Sequence, residues 1–222
     1  MNVLIFLILF PLCIAGLALV LPAGNALRRT IGVIAGIVLC TVPIYLLVTY
    51  LDAGPVYFHA ESHLVNLLML AVELAIAVFI VYISVRAKQY IPVLLVVVQS
   101  LIMAVFEVTA GGSMEIEASL FVDKFSIIMA LIVGIIGSAI CLYAIGYIPE
   151  YHEHHQEVKD RRRYFSFLIY LFLSAMFGIV FSNNLIWLYF FWEITTICSA
   201  LLIGYRNDKQ SIESMFRALK MN

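Results

Sequence analysis

Residues 125–147 read FSIIMALIVGIIGSAICLYAIGY, a stretch without a single charged side chain. Between Ile127 and Ile136 it is apolar on every side. A membrane-spanning strand alternates apolar and polar residues over about 10 positions, so this run reads as a helix. At about 1.5 Å per residue it is roughly 35 Å long, enough to cross about 30 Å of hydrocarbon. Six further stretches meet the same requirement, at 3–21, 30–51, 64–85, 90–107, 164–182 and 185–204. Too few residues remain between them for a soluble domain. The expected fold is therefore an all-α, polytopic transmembrane helical bundle of about seven spans.

Composition agrees with that reading. Of 222 residues, 64% are apolar and 12% charged, and the mean hydropathy is +1.05. Soluble domains hold roughly 45–50% apolar and about 25% charged residues. A net charge of -1 offers no electrostatic footprint for nucleic acid, which is excluded as a partner. Cys13, Cys40, Cys141 and Cys198 lie inside apolar runs without a CxxC pair. They encode neither a disulfide framework nor a metal or iron–sulfur site, and no cofactor is expected in this chain.

Direction across the membrane follows from the basic residues. No Lys or Arg precedes the first span, whereas Arg28 and Arg29 follow it, so the segment reads as a retained span and not a cleaved signal. Threading seven spans from an outside N-terminus places 12 of the 13 basic residues on one face and leaves only Lys124 on the other. Basic residues in short loops favour the cytoplasmic side, so a cytoplasmic-membrane protein with its N-terminus outside is expected. Tyr50, Tyr147, Tyr164 and Trp187, near span ends, read as anchors in an aromatic belt.

Of the 14 acidic residues, only Glu73 and Glu193 fall near the middle of spans. An acidic side chain at mid-bilayer costs about 2.5–3.5 kcal/mol on insertion scales, so it usually faces a protein interior or a water-filled path. Both are candidate ion-translocation residues; a structural hydrogen bond between helices is the plainer alternative. Glu193 has Thr195, Thr196 and Ser199 within two turns, with Thr196 on its face at i+3. The short turn Ser182-Asn183-Asn184 makes the last two spans antiparallel neighbours, which is expected to hold Glu193 against the sixth span. His152, His154 and His155 match no standard metal spacing and read as part of a solvated cytoplasmic loop.

The stretches LFVDKFSIIM at 120–129, YAIGYI at 143–148 and FLSAMFGIVFSNNLIWLYFFWEITTICSALLIGY at 172–205 resemble the start of antiporter-like proton-translocating subunits. These occur in respiratory complex I, Mrp-type cation/proton antiporters and membrane-bound [NiFe] hydrogenases. Trp192-Glu193, followed by Cys198, Leu202, Ile203 and Gly204, looks like the signature of that family, and the ending Arg217-Ala218-Leu219-Lys220-Met221-Asn222 is most similar to hydrogenase-type members. The resemblance implies three regions: two spans in 1–63, an inserted hairpin in 64–117, and in 118–222 the start of an antiporter-like domain with three spans and a cytoplasmic tail segment. The family continues where this chain stops, into helices that hold its central lysines.

On that resemblance the chain is expected to be an ion-translocating subunit, or the N-terminal part of one, moving H+ or Na+. Glu193 is its principal acid, with Thr195, Thr196, Ser199, Asp123 and Lys124 as supporting polar residues; Glu73, on a hairpin that departs from the family pattern, is a second candidate by its mid-span position alone. The leading context is a hydrogenase or another complex-I-related oxidoreductase complex. In it, other membrane subunits supply the later helices, and a soluble redox arm carries the iron–sulfur and nickel–iron centres. An Mrp-type antiporter subunit is the first alternative, and a structural membrane scaffold the second.

Overall fold

The computed structural model describes residues 1–22, 24, 26–51, 54–59, 63–106, 109, 118–155 and 160–221. Its elements are α1 (Asn2–Val20), α2 (Ala26–Tyr50), β1 (Val56–Phe58), α3 (His63–Arg86), α4 (Tyr90–Phe106), β2 (Leu120–Val122), α5 (Lys124–His154), α6 (Arg162–Phe181), α7 (Leu185–Ile203) and α8 (Lys209–Met221). Six of these helices are long and apolar enough to cross a membrane. The expected fourth span is α4, a shorter apolar helix of 17 residues. At about 26 Å it falls just under the hydrocarbon thickness. Glu107, at its expected end, lies outside the described residues, as do 108 and 110–117 at the end of the hairpin region. Glu157, Lys159 and Asn222 lie outside them too.

The core is a packed quartet of α1, α2, α5 and α6, with α7 against α6. Leu7, Leu39, Ile127, Leu168 and Phe177 fill its middle with essentially no exposure. Small residues let the backbones close in, as expected where lipid gives no hydrophobic drive for helix association. A Cβ on Gly178 would lie 2.4 Å from the Phe191 ring, and one on Gly137 would lie 2.3 Å from Leu173. Ser174 on α6 donates to the Ile8 carbonyl of α1 at 2.7 Å, inside the core. By contrast, α3 and α4 pair with each other at the periphery and reach α7 and α8 along one edge. Leu64, Leu67, Leu74, Leu94 and Leu101 stay exposed there, the surface a lipid-facing hairpin presents.

The two ends of the bundle differ in chemistry. At one end β1 and β2 pair antiparallel, Val56 opposite Val122 and Phe58 opposite Leu120. This sheet has no counterpart in the span reading, because each strand is only three residues long. Asp123 then caps α5: its carboxylate accepts from the Ser126 amide at 2.7 Å while the Ser126 hydroxyl accepts from the Asp123 amide at 2.8 Å. Asn183 ties the α6–α7 turn to the same place by donating to the Ser119 and Ala118 carbonyls. At the opposite end lie Arg28, Arg86, Arg162, Arg206 and Lys220. Among the described residues Lys124 alone of the basic side chains sits at the sheet end, which is the asymmetry read from the sequence.

Helix α5 runs to His154, seven residues beyond the expected span, so His152 and His154 stand on its last turns and not in a loop. The physical reason is a docking contact. His152 Nε2 lies 2.7 Å from the Tyr205 hydroxyl. Burial pushes the Tyr205 phenol up to about 12, so it keeps its proton and can donate to the imidazole. His152→Ala should lower stability by about 1 kcal/mol. The check is the unfolding midpoint in detergent; an unshifted midpoint would mean that the contact carries no weight. The tail segment after α7 forms the amphipathic helix α8, whose Met215 and Phe216 pack under the end of α7.

Candidate functional site

Glu193 sits at the midpoint of α7, a helix begun by Asn184, whose side chain accepts from the Ile186 amide. Successive residues turn by about 100°, so Phe191 and Glu193 point to nearly opposite sides. Phe191 fills the space over Gly178 of α6. The expectation that Glu193 lies against α6 is therefore corrected: α7 does pack on α6, but the carboxylate is turned toward the α3–α4 hairpin.

There its Oε1 accepts a hydrogen bond from Gln99 Nε2 of α4 at 2.7 Å and lies 3.3 Å from the Tyr189 hydroxyl, one turn earlier on α7. Gln99 also contacts the Tyr189 hydroxyl directly, closing a three-membered polar cluster. The second oxygen, Oε2, is buried and has no hydrogen-bond partner among the described residues. Glu73 of α3 lies within electrostatic range of both Glu193 and Tyr189. The two intramembrane carboxylates read separately from the sequence thus lie within electrostatic range of each other. Toward the sheet end, Trp187 donates its indole N–H to Asn66 Oδ1 at 3.2 Å and fastens α7 to α3.

The supporting residues fall elsewhere. Thr195 donates to the Trp192 carbonyl and Ser199 to the Thr195 carbonyl, so both hydroxyls serve their own helix. Thr196 is half-buried on α7, outside the hydrogen bonds that Glu193 accepts. Asp123 and Lys124 stand at the α5 N-terminus, level with the start of α7 and about 12 Å along the helix axis from Glu193. Asp123 there caps a helix.

Gln99 and Tyr189 carry a share of the site that ionisable residues in mid-span do not reveal. In the sequence Gln99 shows only as a lone amide deep in an apolar helix, and Tyr189 as the i-4 neighbour of Glu193. No Lys or Arg lies at mid-depth among the described residues. Nor, among them, do three His, Cys, Asp or Glu side chains converge as a metal would require. Cys13, Cys40, Cys141 and Cys198 stand on four different helices, a poor fit to any iron–sulfur or nickel–iron centre.

Comparison with known proteins bears on the second half of the chain. Residues 108–165 match a family described as NADH-Ubiquinone oxidoreductase (complex I), chain 5 N-terminus. Residues 182–222 match one described as NADH:quinone oxidoreductase/Mrp antiporter, TM, and this segment includes Tyr189 and Glu193. A Na(+)/H(+) antiporter subunit of Alkalihalophilus pseudofirmus is 38% identical over 93 residues, covering 42% of this chain and 11% of that protein. A Na(+)/H(+) antiporter subunit of Staphylococcus haemolyticus is 38% identical over 92 residues, covering 41% and 10%. The chain thus spans about a tenth of the length of the curated relatives it matches.

Proposed function

We propose, from the premise that the second half of this multi-pass membrane chain belongs to the complex I/Mrp antiporter-like family, that the protein takes part in moving H+ or Na+ through Glu193. The observation that carries the reading is the Glu193 carboxylate in the middle of a span, with Oε1 held by Gln99 and Oε2 buried and unpartnered among the described residues. Gln99 and Tyr189 fix the orientation of the carboxylate. Oε2 is then the oxygen left to take a proton or a cation. With Glu73 in electrostatic range, two uncompensated negative charges at this depth would repel, so Glu193 holds a proton or a small cation in its resting state.

Release needs an opposing positive charge that approaches and retreats. Two unit charges about 4 Å apart interact by roughly 4 kcal/mol at an effective dielectric near 20, enough to displace a bound ion. No described span of this chain offers that cation. A lysine from a further membrane segment or another protein docked near α7 is the source the family likeness suggests.

The names of the relatives favour an Mrp-type exchange, driven by an ion gradient, over the hydrogenase-type context. The latter is a second reading, supported by the ending at 217–222 and by the complex I descriptions of both matched families. In either case the basic end faces the cytoplasm of the cell membrane.

Proteoliposomes separate the alternatives. Residues 1–222 alone should give no sodium or proton flux above background, whereas the native assembly should respond to an imposed pH or sodium gradient without an electron donor. Flux that appears only when a redox partner is reduced would favour the second reading. Robust Glu193-dependent flux from the isolated chain would refute the need for an outside cation, and an assembly that moves no ion under either drive would leave a scaffold role.

A further inference from the structure

At the basic end, remote from Glu193, the ends of α1, α2, α5 and α6 enclose a cavity of about 510 Å³. That is within the range of roughly 300–1,000 Å³ of small-molecule sites. Its rim carries Arg28, Arg29, Arg162 and Ser166, and its wall is apolar, with Ile14, Leu17 and Ile145 among the lining residues. Ile14 stands about 9 Å below the end of α1, so the wall reaches from the interface into the depth of the hydrocarbon.

Among the described residues the rim is richer in positive charge than its carboxylates can offset. Arg162 and Arg163 both lie within electrostatic range of Arg28, and Arg29 is exposed at the mouth. Against these four stand Asp160, paired with Arg162 at 2.7 Å, and Glu153, in range of Arg162. The hydrogen bonds from Arg162 hold the Asp160 carboxyl below the usual carboxylate range, so its charge is already committed. Arg28 is half-buried and locked in place: its Nη2 donates to the Arg162 carbonyl and to Ser166 Oγ, both at 2.8 Å. Its remaining N–H donors have no partner among the described residues and can reach an acceptor in the cavity. The N-termini of α2 and α6 open at this same end, where the helix dipoles favour an anion.

We infer that this cavity binds the phosphate headgroup of an anionic phospholipid, with an acyl chain against the apolar wall. Oriented arginines with unspent donors call for a phosphate, since a guanidinium matches two of its oxygens at once. The apolar wall selects a lipid over free phosphate, because an inorganic ion gains nothing from it. Basic pockets between membrane helices commonly take such headgroups, and each arginine near the surface contributes about fivefold to affinity.

Gly146 supplies a clean steric test. It lines the cavity, and a Cβ built on it meets nothing within 4 Å, so a larger side chain there takes up open space at the cavity wall and leaves the helix packing alone. The chain, purified with any native membrane partners, is exchanged into nanodiscs of phosphatidylcholine with 10% phosphatidylglycerol or 10% cardiolipin. Retained lipid is then measured by native mass spectrometry. Wild type should retain the anionic lipid over phosphatidylcholine. Gly146→Phe should lose at least tenfold of that retention and Arg29→Gln about fivefold, with unfolding midpoints unchanged in lipid-free detergent. Arg28→Gln should lose more, although its contacts to Arg162 and Ser166 make it the less clean variant. Equal retention of phosphatidylcholine, wild-type retention by both Gly146→Phe and Arg29→Gln, or displacement of the lipid by millimolar inorganic phosphate would overturn the assignment.

Discussion

Glu193→Gln should abolish coupled ion transport, a loss on the order of 10²-fold or more, while the bundle still assembles. The amide keeps the size and shape of the carboxylate. Its oxygen can still accept from Gln99 and Tyr189, the contacts that hold Oε1 in the wild type. Its nitrogen takes the position of the buried Oε2, which has no hydrogen-bond partner among the described residues. The stability cost should therefore stay within about 1–3 kcal/mol, the scale of one buried donor without an acceptor. What disappears is the change of charge, and with it any means of exchanging an ion. Counterflow in proteoliposomes, alongside an unfolding midpoint and a check of complex composition, separates the two effects. Wild-type flux from a correctly assembled Glu193→Gln protein would end the proposed role. Glu73→Gln, with the same readout, should slow transport by less, since the hydrogen bonds that orient the reactive carboxylate belong to Glu193.

How far the site is legible in the sequence follows from what each signal measures. Charged residues in apolar runs are rare and conspicuous, so Glu73 and Glu193 stand out although they are 120 positions apart. Their proximity is not legible, because the hairpin of α3 and α4 could dock on any face of the bundle. The docking is decided by Trp187 reaching Asn66 and by Gln99 reaching Glu193, polar contacts between helices that carry no periodic signature. Trp187 reads as an interfacial anchor because tryptophan near a span end usually is one, and nothing in the sequence marks its indole N–H for Asn66. In the same way the span rule locates the helices but not the ends of α5, whose extra turns depend on the contact from His152 to Tyr205. The two three-residue strands carry too short a pattern to be seen at all. Hydropathy is summed over about twenty residues, so it resolves what the bilayer imposes and blurs what single side chains decide.

Gly134→Val should be the most damaging single substitution in the core, preventing the chain from accumulating as a folded protein. Its environment is set by a proline on another helix. Pro43 lies inside α2 and has no amide hydrogen, so the carbonyl four residues earlier, at Leu39, loses its helical donor. Helix α5 passes over this point with Gly134 facing it. A Cβ at 134 would stand 2.6 Å from the Leu39 oxygen and 2.7 Å from the Pro43 ring. The glycine brings its Cα close to that oxygen, the arrangement in which a weak C–H donor offsets part of the missing bond. Rotation of a flexible neighbour relieves the clash at Gly137, where the atom approached is the end of the Leu173 side chain. At Gly134 the approached atoms are a backbone oxygen and a fixed ring, so α2 and α5 would have to separate. Forcing them apart also pulls Val133, Ala130 and Leu39 out of contact, and overpacking of a tight core typically costs about 1–3 kcal/mol before such losses are added. Gly134→Ala already carries the offending Cβ and should show most of the effect, whereas Gly146→Ala, whose Cβ meets nothing within 4 Å, should be neutral. Expression level and unfolding midpoint in detergent, compared across the three variants, read this directly: if Gly134→Ala matches Gly146→Ala, the close approach of α2 and α5 is not what holds the bundle together.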